Sequence, residues 1–185
     1  MTHDPRSKGD EHDLLSPRDG RARIQRDDGA DLVLPRAWSL VSVPGADHPV
    51  VVGPGGVVLL AVRRQSSERV RLYDRGLWVD GRRTHELTTT DHQAGVVSVV
   101  LSEACRWAVH CEPVVVVHTT DLVVRSRPDD VHVLHAHVLH RWLEHLPARL
   151  SDEEVEQVVD RAAALATLAD DAADRAVGSS EAPAA

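Results

Sequence analysis

The sequence has no phenylalanine, one tyrosine (Tyr73) and four tryptophans in 185 residues, so aromatics make up only 3% of it. A core without aromatic bulk must be built from Val, Leu and Ala, and Val-rich runs favour strands. Lysine is almost as scarce. Lys8 is the only one, and every other basic side chain bar histidine is arginine. Two cysteines, Cys105 and Cys111, are too few for a disulfide scaffold and read as reduced thiols. No run approaches the roughly 20 apolar residues that span a bilayer. The first residues, MTHDPRSKGDEHD, lack the apolar stretch of a signal peptide. The formal net charge of -8 excludes gripping nucleic acid through bulk positive charge, though not through a local basic cleft. These absences point to a cytoplasmic, soluble protein with no membrane partner.

What is present fits a globular chain: 42% hydrophobic and 27% charged residues. Residues 1–30 are polar and mixed in charge, and too poor in large apolar side chains to offset ordering entropy, so they are expected to be disordered. Residues 31–176 are expected to form a single domain, and 177–185 a flexible tail. Within the domain, Trp38–Val43 and Val50–Val52 read as short strands. The continuous apolar run Val57–Val62 reads as a strand buried on both faces. Gly53-Pro54-Gly55-Gly56 between the last two makes a hairpin turn. Arg69–Tyr73 and Leu77–Val79 form another strand pair, followed by an Asp80-Gly81 turn.

The period then changes. Ala94, Val97, Val100, Leu101, Ala104 and Ala108 recur at helical spacing, predicting a helix over about 90–109, capped by Thr90 or Asp91. Strands are expected at Val114–Val117, Leu122–Val124 and Val131–Leu134, and a short helix at His137–His145. A last helix opens with Ser151 and Glu154 as a capping box and carries an apolar face of Val155, Val158, Val159, Ala162 and Ala166. Its many acids read as a solvated face, with a basic partner as the other option. The order of elements predicts an α/β fold, a mixed central sheet flanked by helices.

Five segments carry a family likeness: GADHPVVVGPGGVVLLAVR at 45–63, VDGRRT at 79–84, DHQAGVVSVVLSEAC at 91–105, VVVV at 114–117, and the stretch from DVHVL to LSDEEVEQV over 130–158. Together they resemble the NERD, or nuclease-related, domain in its actinobacterial form, over about residues 35–165. The resemblance implies a restriction-endonuclease-like fold and Mg²⁺-dependent hydrolysis of DNA. Such chemistry uses carboxylates to hold the metal at the scissile phosphate and a lysine to position water and offset developing charge. The acid and the lysine sit two apart because alternate residues of a strand face one side.

The match fails where the chemistry should be. Counting back from the Gly-Pro-Gly-Gly turn without a gap, the family's Asp falls on His48 and its His on Pro49. A one-residue bulge near Pro49 would instead bring Asp47 and His48 into register. On the next strand Ala61 stands at the acid position and Arg63 at the lysine position. Arg63 keeps the charge but, as a guanidinium that stays protonated, is no base. Residues 1–31 show no Gly-Glu-x-x-Val-like pattern for the helix that brings a Glu to the site in the family. Gln93 matches a family glutamine. The resemblance therefore implies Asp47, His48, Arg63 and Gln93 as site residues, with Asp47 as the one metal ligand. It implies no resident cofactor, or Mg²⁺ if activity is retained. Arg63 and Arg64 at a strand end read as a solvated edge or, with Arg69 and Arg71, as a residual basic lip that touches phosphate.

The expected function is a catalytically weakened or inactive nuclease linked to DNA processing, with DNA or a protein as partner. A non-catalytic interaction or regulatory module on the same scaffold is the alternative. A weaker third is metal binding by His132, His135, His137, His140 and His145, where His137 and His140 have a helical ligand spacing. No nucleophile elbow or phosphate-binding P-loop is present, since Gly-Pro-Gly-Gly joins two strands and is not followed by Gly-Lys.

Overall fold

The computed structural model describes residues 23–24, 32–63, 69–119 and 121–178. The strands are β1 (Arg23–Ile24), β2 (Leu32–Val33), β3 (Ser39–Val41), β4 (Val50–Gly53), β5 (Gly56–Val62), β6 (Arg69–Tyr73), β7 (Gly76–Val79), β8 (Arg82–Thr84), β9 (Cys111–Val117), β10 (Asp121–Val124) and β11 (His132–His135). The helices are α1 (Glu86–Cys105), α2 (Ala136–Glu144) and α3 (Asp152–Gly178). Most of the stretch 1–30, and 179–185, lie outside the described residues; β1 pairs with β2, and Ile24 is buried.

The fold is α/β with two mixed sheets. The larger runs β11-β9-β5-β4-β3. β3, β4 and β5 form an antiparallel meander, whereas β9 joins β5, and β11 joins β9, in parallel. The Val-rich β5 and β9 lie inside this sheet, and Leu59, Leu60, Val114 and Val116 are fully buried. Strands covered on both faces need no polar alternation, which is why these segments read as continuous apolar runs.

One face of the sheet, with Val50, Val52, Val57 and Leu59, packs on Ala94, Val97 and Leu101 of α1 and on Val158 and Ala162 of α3. The other, with Val51, Val58, Leu60 and Val116, packs on Leu139 and Leu143 of α2 and on Leu34 and Trp38. This makes three layers, helix on sheet on helix.

The second sheet runs β10-β6-β7-β8. Its inner residues Val70, Leu72, Leu77 and Val79 pack with Ala61, Val115 and Val117 at the carboxyl ends of β5 and β9. β7 turns into β8 through Asp80 (φ 46°) and Gly81 (φ 80°), the left-handed pair that a tight hairpin turn requires. β8 had no apolar pattern to announce it; β10 reaches the sheet parallel to β6 from about fifty residues downstream.

α1 begins four residues earlier than the sequence suggested. Its N-cap is His85, whose side chain makes no capping hydrogen bond, so neither Thr90 nor Asp91 caps it. Thr90 lies within the helix, fully buried, its hydroxyl donating to the Glu86 carbonyl at 2.7 Å. α1 ends at Arg106, in the left-handed conformation, whose N–H donates to the Ser102 carbonyl. α3 opens with the expected capping box: Glu154 N donates to Ser151 Oγ at 3.3 Å, and Ser151 N donates to Glu154 Oε2 at 2.8 Å.

Candidate functional site

Asp47 and His48 lie in a bend just before β4. The antiparallel register between β4 and β5 pairs Val50 with Leu59. It continues without a bulge one step further, where Leu60 N donates to the Pro49 carbonyl at 2.8 Å. The ungapped count from the turn is thus the register of the strand, and the chain turns away only at His48 and Asp47. Asp47 is exposed and His48 half-buried.

The carboxylate of Asp47 reaches α1. Gln93 Nε2 donates to Asp47 Oδ2 at 2.6 Å. Gln93 is 8% exposed, and its Oε1 is a buried acceptor with no hydrogen-bond partner in the structure. Two residues singled out from the sequence, 46 positions apart, are therefore in direct contact.

Arg63 follows β5, and its backbone N–H donates to the Val116 carbonyl at 2.8 Å. Its side chain makes an ion pair with Glu86, Nη1 to Oε2 at 2.6 Å, each side chain 20% exposed. Glu86 is the first residue of α1. A carboxylate there suits the positive end of the helix dipole and finds the guanidinium facing it. Glu86 and Gln93 are seven residues apart, two helical turns or about 10 Å, so one stripe of α1 serves both contacts. Glu86 was missed because the sequence places the helix start at Thr90 and leaves Glu86 in a loop. The signal that could have found it is an arginine at the end of a buried strand, which demands a counter-charge.

Ala61 is 1% exposed and packs among Val70, Leu72, Val115 and Val117. This arrangement does not fit Mg²⁺. The ion takes oxygen ligands, one or two carboxylates among them. Here position 61 offers a methyl group, Asp47 accepts from an amide, and Glu86 is matched by a guanidinium. Among the described residues no group of three or more His, Cys, Asp or Glu side chains is arranged to hold a metal.

The expected basic lip divides. Arg63 turns to Glu86, whereas Arg69 and Arg71 belong to the exposed side of β6. Arg64 and Lys8 lie outside the described residues.

The histidine-rich segment disperses into separate contacts. His132 Nε2 meets Glu112 Oε1 at 2.9 Å. The ring of His135, the N-cap of α2, contacts the Thr119 carbonyl through Nε2 and His137 Nδ1 through its own Nδ1, the latter at 2.6 Å. His140 meets the Val33 carbonyl and Glu144, and His145 the Arg141 carbonyl. Glu112 is the hub of a small ion cluster. Burial pushes its carboxyl up, but hydrogen bonds from His132 and Arg149 outweigh burial and hold it below its ordinary value. Both cysteines are free and buried. Burial raises each thiol, that of Cys111 to about 12.

No family model, no curated protein and no solved structure matches the chain. Among the described residues no helix is long and apolar enough to cross a membrane.

Proposed function

We propose that the chain is a NERD-like, nuclease-related domain working in a nucleic-acid context, with its phosphodiester chemistry weakened or lost. The observation that carries this reading is the Arg63–Glu86 ion pair beside the buried Ala61. In the family that the chain resembles, metal-dependent hydrolysis uses an acid at the position of Ala61 and a lysine at that of Arg63. An arginine locked to a carboxylate supplies neither a metal ligand nor a base.

The scaffold half of the reading is supported by the order of elements. An antiparallel meander, a helix and a strand parallel to the third meander strand bring the start of β4, the end of β5 and the first turns of α1 to one end of the sheet. The Asp47–Gln93 contact lies at that same end.

The test is cleavage of single- and double-stranded DNA with Mg²⁺ or Mn²⁺. It compares the natural protein, Asp47→Ala, and an Ala61→Glu/Arg63→Lys double variant checked for folding. The expected result is no cleavage by the natural protein and activity in the double variant. Cleavage by the natural protein that Asp47→Ala abolishes would overturn the loss of chemistry. The same ion pair favours a second reading, a non-catalytic interaction or regulatory module. If that reading holds, DNA binding is absent and a protein partner is to be sought.

A further inference from the structure

The outer face of the small sheet holds two of the chain's five aromatic residues side by side. Strand β6 alternates exposed and buried residues, so Arg69, Arg71 and Tyr73 point away from the core that Val70 and Leu72 enter. On β7 the exposed residue is Trp78. The registers pair Arg71 with Trp78 and Trp78 with Arg83, which sets one row of arginine, tryptophan and arginine across three strands. Tyr73 stands next to this row, its ring centroid 6.4 Å from that of Trp78 at an interplanar angle of 72°.

Gly76 faces Tyr73 across the ladder. A Cβ there would lie 3.1 Å from Arg83 Nε and 3.7 Å from Trp78 Nε1. The missing side chain leaves room for the Arg83 stem, whose Cγ would lie 3.6 Å from such a Cβ. Arg83 is held there by its Nη2, which donates to the Arg75 carbonyl at 2.7 Å.

Tyr73 and Trp78 are 37% and 38% exposed, whereas Trp38 is buried and Trp107 and Trp142 are partly buried. The surrounding charge runs against that of the whole chain. Segments 69–84 and 121–125 contain six arginines and three aspartates, within a protein of net charge -8. At the edge, Arg69 is matched by Asp121 at 3.5 Å, and its backbone N–H by Asp80. Arg71 and Arg83 flank the rings at the centre.

We propose that this face binds single-stranded nucleic acid, with bases stacking on Trp78 and Tyr73 and phosphates meeting Arg71 and Arg83. Stacking on exposed rings needs bases that are not already stacked on their neighbours, which favours a single strand over a duplex. A row of arginines matches a polyanion, and an acidic protein needs such a local patch to approach one. The inference rests on the nucleic-acid context proposed above, but not on cleavage.

The experiment uses the full chain in EDTA, so that binding is read without hydrolysis. A fluorescein-labelled single strand of dT and a labelled duplex of equal length are titrated by anisotropy at low and at physiological salt. The expected dissociation constant for the single strand lies between about 1 and 100 µM at physiological salt. Trp78→Ala weakens it about 5- to 100-fold, whereas Trp78→Phe keeps most of the affinity. Arg71→Glu with Arg83→Glu flattens the salt dependence. Both positions are exposed, and far-UV circular dichroism confirms that the variants fold. No binding at low salt overturns the proposal, as does equal affinity for the duplex or binding that Trp78→Ala leaves unchanged. Binding without any cleavage in the Mg²⁺ assay leaves it standing. Cleavage without Trp78-dependent binding overturns this proposal alone.

Discussion

The Arg63 guanidinium and the Glu86 carboxylate meet at 2.6 Å, four-fifths buried, where the end of β5 faces the start of α1. Their pairing ties the larger sheet to the helix that carries Gln93. Removing Arg63 takes the guanidinium from a mostly buried carboxylate, and removing Glu86 takes the carboxylate from a mostly buried guanidinium. Arg63→Ala or Glu86→Ala should therefore cost roughly 1–3 kcal/mol, between the values for exposed and fully buried pairs. The Arg63→Ala/Glu86→Ala double variant should lose less than the sum, with a coupling of about 1 kcal/mol. Urea unfolding of the four proteins measures this, and additive losses would refute the coupling.

Glu112 gives the acid limb of stability a particular sign. Burial raises its carboxyl, but His132 and Arg149 hold it below the ordinary 4.5. A depressed acid contributes stability that is fully present above the unfolded value and is lost as pH falls through the lower folded value. Glu112→Gln should lower stability at neutral pH and flatten its decline below pH 4.5. Urea midpoints across that range report it; an unchanged slope would speak against the assignment.

The start of α3 rests on Ser151 and Glu154. Ser151→Ala removes the acceptor for Glu154 N–H and should cost about 0.5–2 kcal/mol, whereas Ser151→Asp should keep most of the stability. Equal stability of all three proteins in urea would show the box to be idle.

Gly53 is pressed by an indole. A Cβ at this position would lie 2.4 Å from Trp38 Cδ2, closer than packed atoms allow. Gly53→Ala must push Trp38 out of its buried place and should destabilise by about 1–3 kcal/mol. The accompanying change in near-UV circular dichroism would locate the damage at the ring.

The thiols of Cys105 and Cys111 should be inert in the folded protein. Both are buried and raised, Cys111 to about 12, so thiolate is scarce at pH 8. A chromogenic disulfide reagent should react with neither until denaturant is added. Rapid labelling under native conditions would contradict the burial.

Much of the larger sheet was legible because β4 and β5 are local in sequence and apolar throughout, with a Gly-Pro turn that has few other uses. The capping box of α3 was legible for the same reason, since its two residues are three apart. The start of α1 was not. Thr90 and Asp91 are good capping residues and His85 is a poor one, so local preference pointed inside the helix, and tertiary packing of Leu87 and Thr90 decided otherwise. β8 is Arg-Arg-Thr, an edge strand with no apolar alternation to detect. The division into two sheets depends on β10 pairing with β6, a long-range choice with no local trace. Asp47 and Gln93 were both named as candidates from the sequence, and their side chains meet. Glu86 was hidden behind the misplaced helix start, and Trp78 and Tyr73 read only as members of a strand pair.

The parallel return of β10 alongside β6 decides what can be cut out of this chain. The hairpins of β6, β7 and β8 are complete by Thr84, yet their fourth strand is not made until α1 and β9 have been laid down. A fragment ending before Asp121 would leave β6 as an open edge, with backbone donors and acceptors that invite a foreign strand. On the ribosome that edge waits through some forty residues of synthesis, roughly 2–8 s at ordinary elongation rates. The wait makes the small sheet the place where newly made chains would stick to one another, and it argues against borrowing residues 69–84 as a free-standing graft.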